Sequence, residues 1–263
     1  MLDYKEAARI FEDRVDGTEY FDSSSAERSK TILKSLASEP EKKLLFLLGN
    51  PGVGKSHMLE TISKEMEGER LIVHLKEPYF EPRSFLARLL GEANESAEGE
   101  METLKERAVG FFSENEHLIM IDEAQLLDEK SLEFLRILSD TKAFRLLLSM
   151  HSKEGEEILA KPHFRTRSHR VVEMGVLLPQ EVERYISSRL KRAGLEEISA
   201  MFTRKHFRLI HRYTEGNFRV LKRMMQSMFE LMQHAKENGL SDYSRPSKCI
   251  VDMAAMDLEL LDA

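Results

Sequence analysis

The feature that most restricts how this chain can fold is a glycine-rich octapeptide that directly follows an apolar run. The run is Leu44 to Leu48, and the octapeptide reads Gly49, Asn50, Pro51, Gly52, Val53, Gly54, Lys55 and Ser56. It fits G-x-x-x-x-G-K-[ST], in which the glycines let successive backbone N–H groups face one anion. Apolar residues then recur at helical spacing, at Met58, Leu59, Ile62 and Met66. We therefore predict a strand, a phosphate-binding loop, and a helix whose positive dipole end faces the phosphates.

The same loop predicts how a nucleoside triphosphate and its metal ion would be held. In this motif the lysine reaches the β- and γ-phosphates and the hydroxyl ligates Mg²⁺. Lys55 and Ser56 are the residues at those positions. We expect the whole loop from Gly49 to Ser56, and His57 directly after it, to contact the nucleotide. The loop thus predicts Mg²⁺ and a nucleoside triphosphate as cofactors. Its residues alone do not distinguish ATP from GTP, and ATP is what the family resemblance described below implies.

A second motif predicts hydrolysis in addition to binding. The apolar run Leu118 to Ile121 is typical of a strand buried on both faces, and Asp122 and Glu123 follow it. Asp122 is predicted to hold Mg²⁺ as the acidic partner of Ser56. Glu123 points elsewhere and can take a proton from the attacking water. An alternative is that both carboxylates only cap the next helix, because acidic residues favour helix N-termini; the loop upstream favours the metal and base roles.

Composition limits the class of protein. With 263 residues, 41% of them hydrophobic and 32% charged, the chain has the composition of a globular protein of one large or two modest domains. Its single cysteine, Cys249, excludes an internal disulfide and provides no metal-ligand cluster. No segment approaches the roughly 18 apolar residues that a membrane span requires, and the start has no basic-then-apolar leader. We expect a cytoplasmic protein, and peripheral docking at the inner membrane stays open.

Charge is distributed unevenly along the chain. Between Lys161 and Arg223 there are 15 Lys and Arg against 6 Asp and Glu, a local charge of +9 in a chain of net charge −7. Such asymmetry indicates that one face meets an anion. The candidates are nucleotide phosphates on a neighbouring subunit, DNA, an acidic lipid surface, or acidic residues of a second copy. The alternative is a solvated helical face.

Hydrophobic patterning predicts an α/β fold. Five short apolar runs read as strands and alternate with helical stretches, which is typical of a parallel sheet covered on both faces. The predicted strands are Leu44 to Leu48, Leu71 to Leu75, Leu118 to Ile121, Phe144 to Ser149 and Val171 to Met174. The predicted helices of this part are Ser25 to Ser38, Pro82 to Leu90, Met101 to Asn115 and Lys130 to Thr141.

After Gly175 the pattern is helical only. Pro179 is expected to begin a helix, Thr203 to cap a second, and Phe218 to His234 and Ile250 to Leu261 to form two more. We therefore predict a nucleotide-binding core over residues 1–176, including an N-terminal helical segment. A small all-helical lid over residues 177–263 follows, with the hinge near Gly175 to Leu178.

These motifs together resemble the AAA+ ATPases of the ExeA-like group. The resemblance rests on the phosphate loop, the sequence DEAQ from Asp122, the segment Leu135 to Leu138, and a lid that begins near Pro179, and it covers about Glu19 to Leu258. The group contains general secretion pathway protein A, pilus-biogenesis proteins of the MshM kind, and the transposition ATPases TnsC and TniB. It implies a P-loop NTPase core with a parallel five-stranded sheet, followed by the helical lid.

The resemblance also implies three further site residues. Ser149 takes the place of the polar sensor at the end of the fourth strand, where it would help to position the lytic water. Arg167 fits an arginine that reaches the γ-phosphate of the adjacent subunit, with Arg165 and Arg170 as rivals. Arg219 would begin the sensor helix of the lid and lie over the bound nucleotide. An arginine that acts in a neighbouring subunit implies a homo-oligomer formed when ATP is bound.

Two classes of biological role follow. In the first, the chain is an ATPase that assembles a secretion or type IV pilus machine, with protein partners at the inner membrane. The second is a DNA-dependent ATPase of the transposition or competence type, which assembles on duplex DNA and recruits a partner. A third option, a nucleotide-gated switch with very slow turnover, is disfavoured by Glu123.

Overall fold

The chain divides into two compact units. In the computed structural model, residues 2–12, 20–41, 44–78, 81–165 and 169–261 are described. One unit is Ala26–Gly175, and the other consists of Met1–Ser25 together with Val176–Ala263. Residues 1–25 were expected to belong to the nucleotide-binding core, and the structure groups them with the C-terminal helices instead.

The first unit, the core unit, is built on a five-stranded parallel sheet. Its strands follow one another in space in the order β2, β3, β4, β1, β5, so that the first strand lies between the fourth and the fifth. The strands are β1 (Leu44–Leu48), β2 (Leu71–Leu75), β3 (His117–Ile121), β4 (Leu146–Met150) and β5 (His169–Glu173).

The burial of the strands explains their sequences. β1, β3 and β4 are buried at every position, which is why they are almost entirely apolar. β2 and β5 lie at the sheet edges and are partly exposed, and both include polar residues such as His74 and Arg170. The predicted bounds of β1 and β2 agree with the structure. The predicted β3 differs by one residue at its start, and β4 and β5 differ by one or two residues at both ends.

Seven helices accompany these strands in the described part of the chain. Phe46, Ile119 and Leu148 of the sheet share one hydrophobic core with Phe85 and Phe112 of two of the helices. The helices are α2 (Ser24–Ser38), α3 (Lys55–Glu65), α4 (Pro82–Glu92), α5 (Met101–Glu114), α6 (Glu129–Asp140), α7 (Ser152–Ala160) and α8 (Pro162–Arg165). The first two residues of α2 are grouped with the other unit.

The start of α6 bears on the alternative that Asp122 and Glu123 are only helix caps. The N-cap of α6 is Asp128, whose side chain accepts a hydrogen bond from Ser131 N at 2.8 Å. Asp122 and Glu123 are followed by a single 3₁₀ turn over Ala124–Leu126, and neither side chain caps it. Capping of an α-helix therefore does not explain this pair of carboxylates.

The second unit, the helical unit, consists of helices around an aromatic and methionine-rich core. Tyr4 stacks on Phe229 with ring centroids 6.3 Å apart, and Phe11 stacks on the same ring at 5.8 Å. This packing explains why the N-terminal residues belong to this unit. Its helices are α1 (Tyr4–Arg9), α9 (Pro179–Arg192), α10 (Glu196–Ala200), α11 (Arg204–Thr214), α12 (Phe218–Glu237) and α13 (Lys248–Asp257).

One turn of the helical unit depends on a glycine. Gly216 has φ +74°, and a Cβ atom there would lie 2.1 Å from the carbonyl oxygen of Leu177. Leu177 N in turn donates to the carbonyl oxygen of Gly216 at 2.9 Å. Asn217 then caps α12 by accepting from the backbone N–H groups of Arg219 and Val220. The close approach to Leu177 thus fixes where α12 begins.

Candidate functional site

The loop between β1 and α3 has the backbone expected of a phosphate-binding loop. Gly52 and Gly54 adopt positive φ angles of 81° and 100°, which glycine adopts without steric cost. Gly49 is restricted differently, because a Cβ atom there would lie 2.9 Å from the carbonyl oxygen of Met174 and 2.8 Å from Val53 Cγ2. Met174 N donates to Leu48 O at 2.7 Å and so extends the pairing of β1 and β5. The loop is therefore packed tightly against the end of the sheet.

Lys55 is held inside the curve of this loop. Its side chain is buried, and Nζ donates to the carbonyl oxygens of Gly49 at 2.7 Å and Asn50 at 3.3 Å. Carbonyl oxygens solvate an ammonium group without neutralising it. A buried positive charge of this kind, surrounded by the loop, favours the binding of an anion such as a phosphate.

Asp122 and Ser149 lie at the same edge of the sheet as the loop. Asp122 is buried, and its N–H donates to Leu75 O at 3.0 Å. Because Ile121 pairs with Leu148, the next residues, Asp122 and Ser149, are neighbours on adjacent strand ends, about 4.8 Å apart in the backbone. Ser149 is fully buried, and within the described residues its Oγ has no hydrogen-bond partner.

His74 adds a neutral imidazole to this edge. Burial lowers the pKa of His74, and the charge of the Asp122 carboxylate opposes part of that shift. Its Nε2 is buried, and it finds no hydrogen-bond partner in the part of the chain that the structure describes. No local sequence pattern indicates that His74 lies near Asp122.

Glu123 lies beside Asp122 but its backbone turns away. Its φ of 50° is left-handed, and its N–H donates to Asp122 Oδ1 at 2.9 Å. Gln125 Nε2 donates to Glu123 Oε2, and His151 Nε2 lies 3.6 Å from the same oxygen. His151 Nδ1 is also 3.9 Å from Glu154 Oε2. Sequence reasoning missed His151, and its position one residue after β4 was the only signal that could have indicated it.

These groups fit a magnesium nucleotide better than a metal held by protein alone. Within the described residues, no group of three or more His, Cys, Asp or Glu could hold a metal ion. Mg²⁺ is usually bound by one or two carboxylates plus phosphate oxygens and water. Asp122 supplies a carboxylate and Ser56 a hydroxyl of the kind that such an arrangement uses. Within the described residues, Ser149 Oγ and His74 Nε2 have no hydrogen-bond partner.

The remaining predicted residues have different outcomes. Ser56 and His57 are the second and third residues of α3, and both are partly exposed. Arg165 at the end of α8 and Arg170 in β5 are exposed. Arg167 lies outside the described residues. Arg219 is exposed at the second position of α12, in the helical unit, and its contact with a nucleotide stays a prediction.

No helix of the described residues is both long enough and apolar enough to cross a membrane. Cys249 is exposed.

Comparison with known proteins supports the fold. Residues 38–159 match the family described as "AAA domain". Comparison of the sequence with curated proteins gave no match.

Three solved structures illustrate the likeness. The Aeropyrum pernix ORC2 protein is 15% identical with a TM-score of 0.61, and the match covers 97% of this chain and 72% of that one. The Thermotoga maritima RuvB Holliday junction branch migration motor is 16% identical with a TM-score of 0.57, and covers 95% and 73%. A chain of Drosophila ORC bound to DNA is 12% identical with a TM-score of 0.65, and covers 95% and 64%.

Identities this low concern the fold alone. The five-stranded parallel sheet with its flanking helices and the helical C-terminal part match the fold of these structures. The fold predicted from the sequence is confirmed. The chain thus has an AAA+ fold, and residues 38–159 are the part that matches the AAA domain family.

Proposed function

We propose that this protein binds ATP with Mg²⁺ and hydrolyses it to ADP and phosphate. The observation that supports this most is the alignment of three features at one edge of the sheet. These are the glycine loop with the buried Lys55, the buried Asp122, and the Ser149 hydroxyl, which has no hydrogen-bond partner among the described residues. Each is positioned by a different strand of the parallel sheet.

In the proposed mechanism each residue has one task. Lys55 and the loop N–H groups bind the phosphate chain, and Ser56 and Asp122 would hold Mg²⁺. The metal ion, when bound, neutralises charge that develops on the phosphate oxygens. Glu123 accepts a proton from the attacking water, and Ser149 orients that water. The contacts of Gln125 and His151 keep the Glu123 carboxylate at a defined place before substrate binds.

Two substitutions test this assignment. Lys55→Ala should abolish ATP binding, measured by fluorescence of a labelled ATP analogue. Glu123→Gln should retain binding and lose at least about a hundredfold in turnover. Glu157→Gln, an exposed glutamate of α7, makes the same chemical change away from the site and should retain both. Normal affinity in Lys55→Ala would refute the loop assignment.

We further propose that ATP binding drives self-association. In this proposal, Arg167 completes the site of a neighbouring copy, and Arg219 brings the helical unit onto the nucleotide as a lid. The Glu123→Gln protein with ATP should have a higher mass in solution than the nucleotide-free protein. Arg167→Ala should bind ATP normally but lose turnover. Arg165→Ala and Arg170→Ala should keep both ATP binding and turnover. A protein that stays monomeric under all conditions would contradict the proposal.

The partner class that we propose is a secretion or type IV pilus machine at the inner membrane. Support comes from the resemblance to the ExeA-like group and from the lid that follows the core. ATP turnover would then alter the lid angle and the packing of subunits, and the partner would bind one nucleotide state more tightly. Deletion in the host should abolish secretion or surface pili, and restoration by Glu123→Gln would exclude a need for hydrolysis.

A second candidate is a DNA-dependent ATPase. It is favoured by exposed arginine and lysine side chains on the helical unit. Turnover titrated with duplex DNA distinguishes the two candidates. Stimulation that is lost on raising the salt concentration favours DNA, and a rate that DNA does not change favours the protein machine.

A further inference from the structure

One face of α11 is a stripe of exposed cations. Arg204, Arg208 and Arg212 follow one another at intervals of four residues, and Lys205 lies beside them. All four are exposed. Within the described residues, none of the four forms a salt bridge, whereas arginines elsewhere in the chain do, such as Arg136 with Glu133. We call these four residues the α11 stripe.

The opposite face of α11 fixes this orientation. Phe207, Ile210 and Thr214 are buried, and Phe207 and Ile210 belong to the core of the helical unit. Residues three and four apart lie on the same side of a helix. The α11 stripe therefore cannot turn inward without exposing the two apolar residues.

The stripe has an energetic cost in the isolated protein. Like charges four residues apart destabilise a helix by about 0.2–0.5 kcal/mol per pair. Arg204 and Lys205 also lie in the first turn, where the helix dipole disfavours cations. In α9 the arrangement is the usual one, with Glu181 in the first turn and Arg189 in the last. Bound anions along α11 would remove both costs.

The chemistry of the stripe fits phosphate groups in a regular row. Three of its four residues are arginine, whose planar guanidinium forms paired hydrogen bonds with phosphate oxygens. An eleven-residue helix is about 16 Å long, which spans several phosphates of a duplex. No large apolar residue of α11 is exposed. Insertion into a membrane and an apolar protein interface are both disfavoured by that composition.

We propose that the α11 stripe binds the phosphate backbone of duplex DNA without reading its sequence. This proposal rests on the second candidate function, the DNA-dependent ATPase, and identifies the α11 stripe as the surface that would contact DNA. Arg208 and Arg212 contact phosphates through their side chains, and Arg204 and Lys205 do so beside the N-terminus of the helix. The protein holds DNA by charge, so its affinity falls steeply with salt.

The test is DNA binding measured by fluorescence anisotropy on a labelled duplex of about 30 base pairs. If four phosphates are neutralised, log K against log salt has a slope of about −3.6, and affinity falls about a hundredfold between 50 and 200 mM salt. Arg208→Gln with Arg212→Gln should bring the slope to about −1.8 and weaken binding at 50 mM salt about two hundredfold, if the salt-independent part of the affinity is unchanged. Lys130→Gln with Lys153→Gln removes the same charge from exposed core-unit positions and should change neither.

Several results would overturn the proposal. These are an unchanged slope in the α11 variant, an equal loss in the Lys130 and Lys153 control, or binding to phosphatidylserine vesicles but not to DNA. Circular dichroism of the variants shows whether they fold. We expect them to fold, because the substituted side chains are exposed. The binding is measured without nucleotide and also on Glu123→Gln. If the protein binds DNA through α11 but does not hydrolyse ATP, only the ATPase proposal is refuted. If it hydrolyses ATP but does not bind DNA through α11, only the DNA surface is refuted.

Discussion

Removal of the Ser149 hydroxyl should stabilise the protein and impair its turnover. Ser149 is fully buried, and its Oγ has no hydrogen-bond partner among the described residues. A buried hydroxyl without a partner costs about 1–3 kcal/mol. Ser149→Ala removes that cost and loses only the few packing contacts of one oxygen. We expect a net gain of about 1 kcal/mol in the free energy of unfolding without nucleotide.

The assay is thermal unfolding in EDTA, without nucleotide, followed by circular dichroism. A gain of about 1 kcal/mol raises Tm by about 3 °C for a chain of this size. The matched control is Ser131→Ala, because Ser131 is also buried but its hydroxyl is hydrogen-bonded to Asp128. That variant should lose about 1 kcal/mol.

The turnover of Ser149→Ala should change in the opposite direction. If the hydroxyl orients the lytic water, its loss should lower the ATPase rate about tenfold or more while ATP binding is retained. A lower Tm in Ser149→Ala would contradict this prediction, because it would mean that the hydroxyl has a stabilising partner in the folded protein. A higher Tm with unchanged turnover would remove Ser149 from the catalytic proposal but leave the stability argument in place.

Two further predictions concern the helical unit. Gly216→Ala should destabilise it by more than about 3 kcal/mol, because strain at positive φ adds to the clash with Leu177 O. The control Gly194→Ala, at φ +72° with no atom near the added Cβ, should cost about 1 kcal/mol. Equal losses of stability in urea unfolding would contradict the clash. Glu181→Gln should lower stability at neutral pH. Burial raises the pKa of Glu181, but hydrogen bonds from Ser24 and Leu178 outweigh it and the net pKa is lowered. The stabilisation by the Glu181 carboxylate is therefore present above its unfolded pKa of about 4.3 and is lost as the pH falls through its folded pKa. The difference in free energy of unfolding between the unsubstituted protein and Glu181→Gln should therefore shrink in acid. A difference that does not change with pH would contradict this prediction.

Features that depend on local sequence could be predicted well. The loop, the strands β1 and β2, and the cap at Thr203 were predicted at their observed positions because each has a short pattern of residue types. The carboxyl ends of parallel strands meet at one edge of the sheet. For that reason the prediction of a parallel sheet was sufficient to place Asp122 at the same edge as the loop.

Features that depend on distant contacts could not be predicted. Residues 2–12 attach to the helical unit because Tyr4 and Phe11 pack on Phe229, and no local periodicity indicates a partner so far along the chain. The approach of His151 to Glu123 likewise joins two strand ends. The same is true of His74 and Asp122.

We propose above that the residues at the carboxyl ends of the strands hydrolyse ATP, with Glu123 as the general base. The most direct measurement follows bound ATP and released phosphate together, for the unsubstituted protein and Glu123→Gln, with and without Mg²⁺. We expect Mg²⁺-dependent phosphate release by the unsubstituted protein, and ATP that stays bound but intact in Glu123→Gln. Equal phosphate release by both proteins would contradict it.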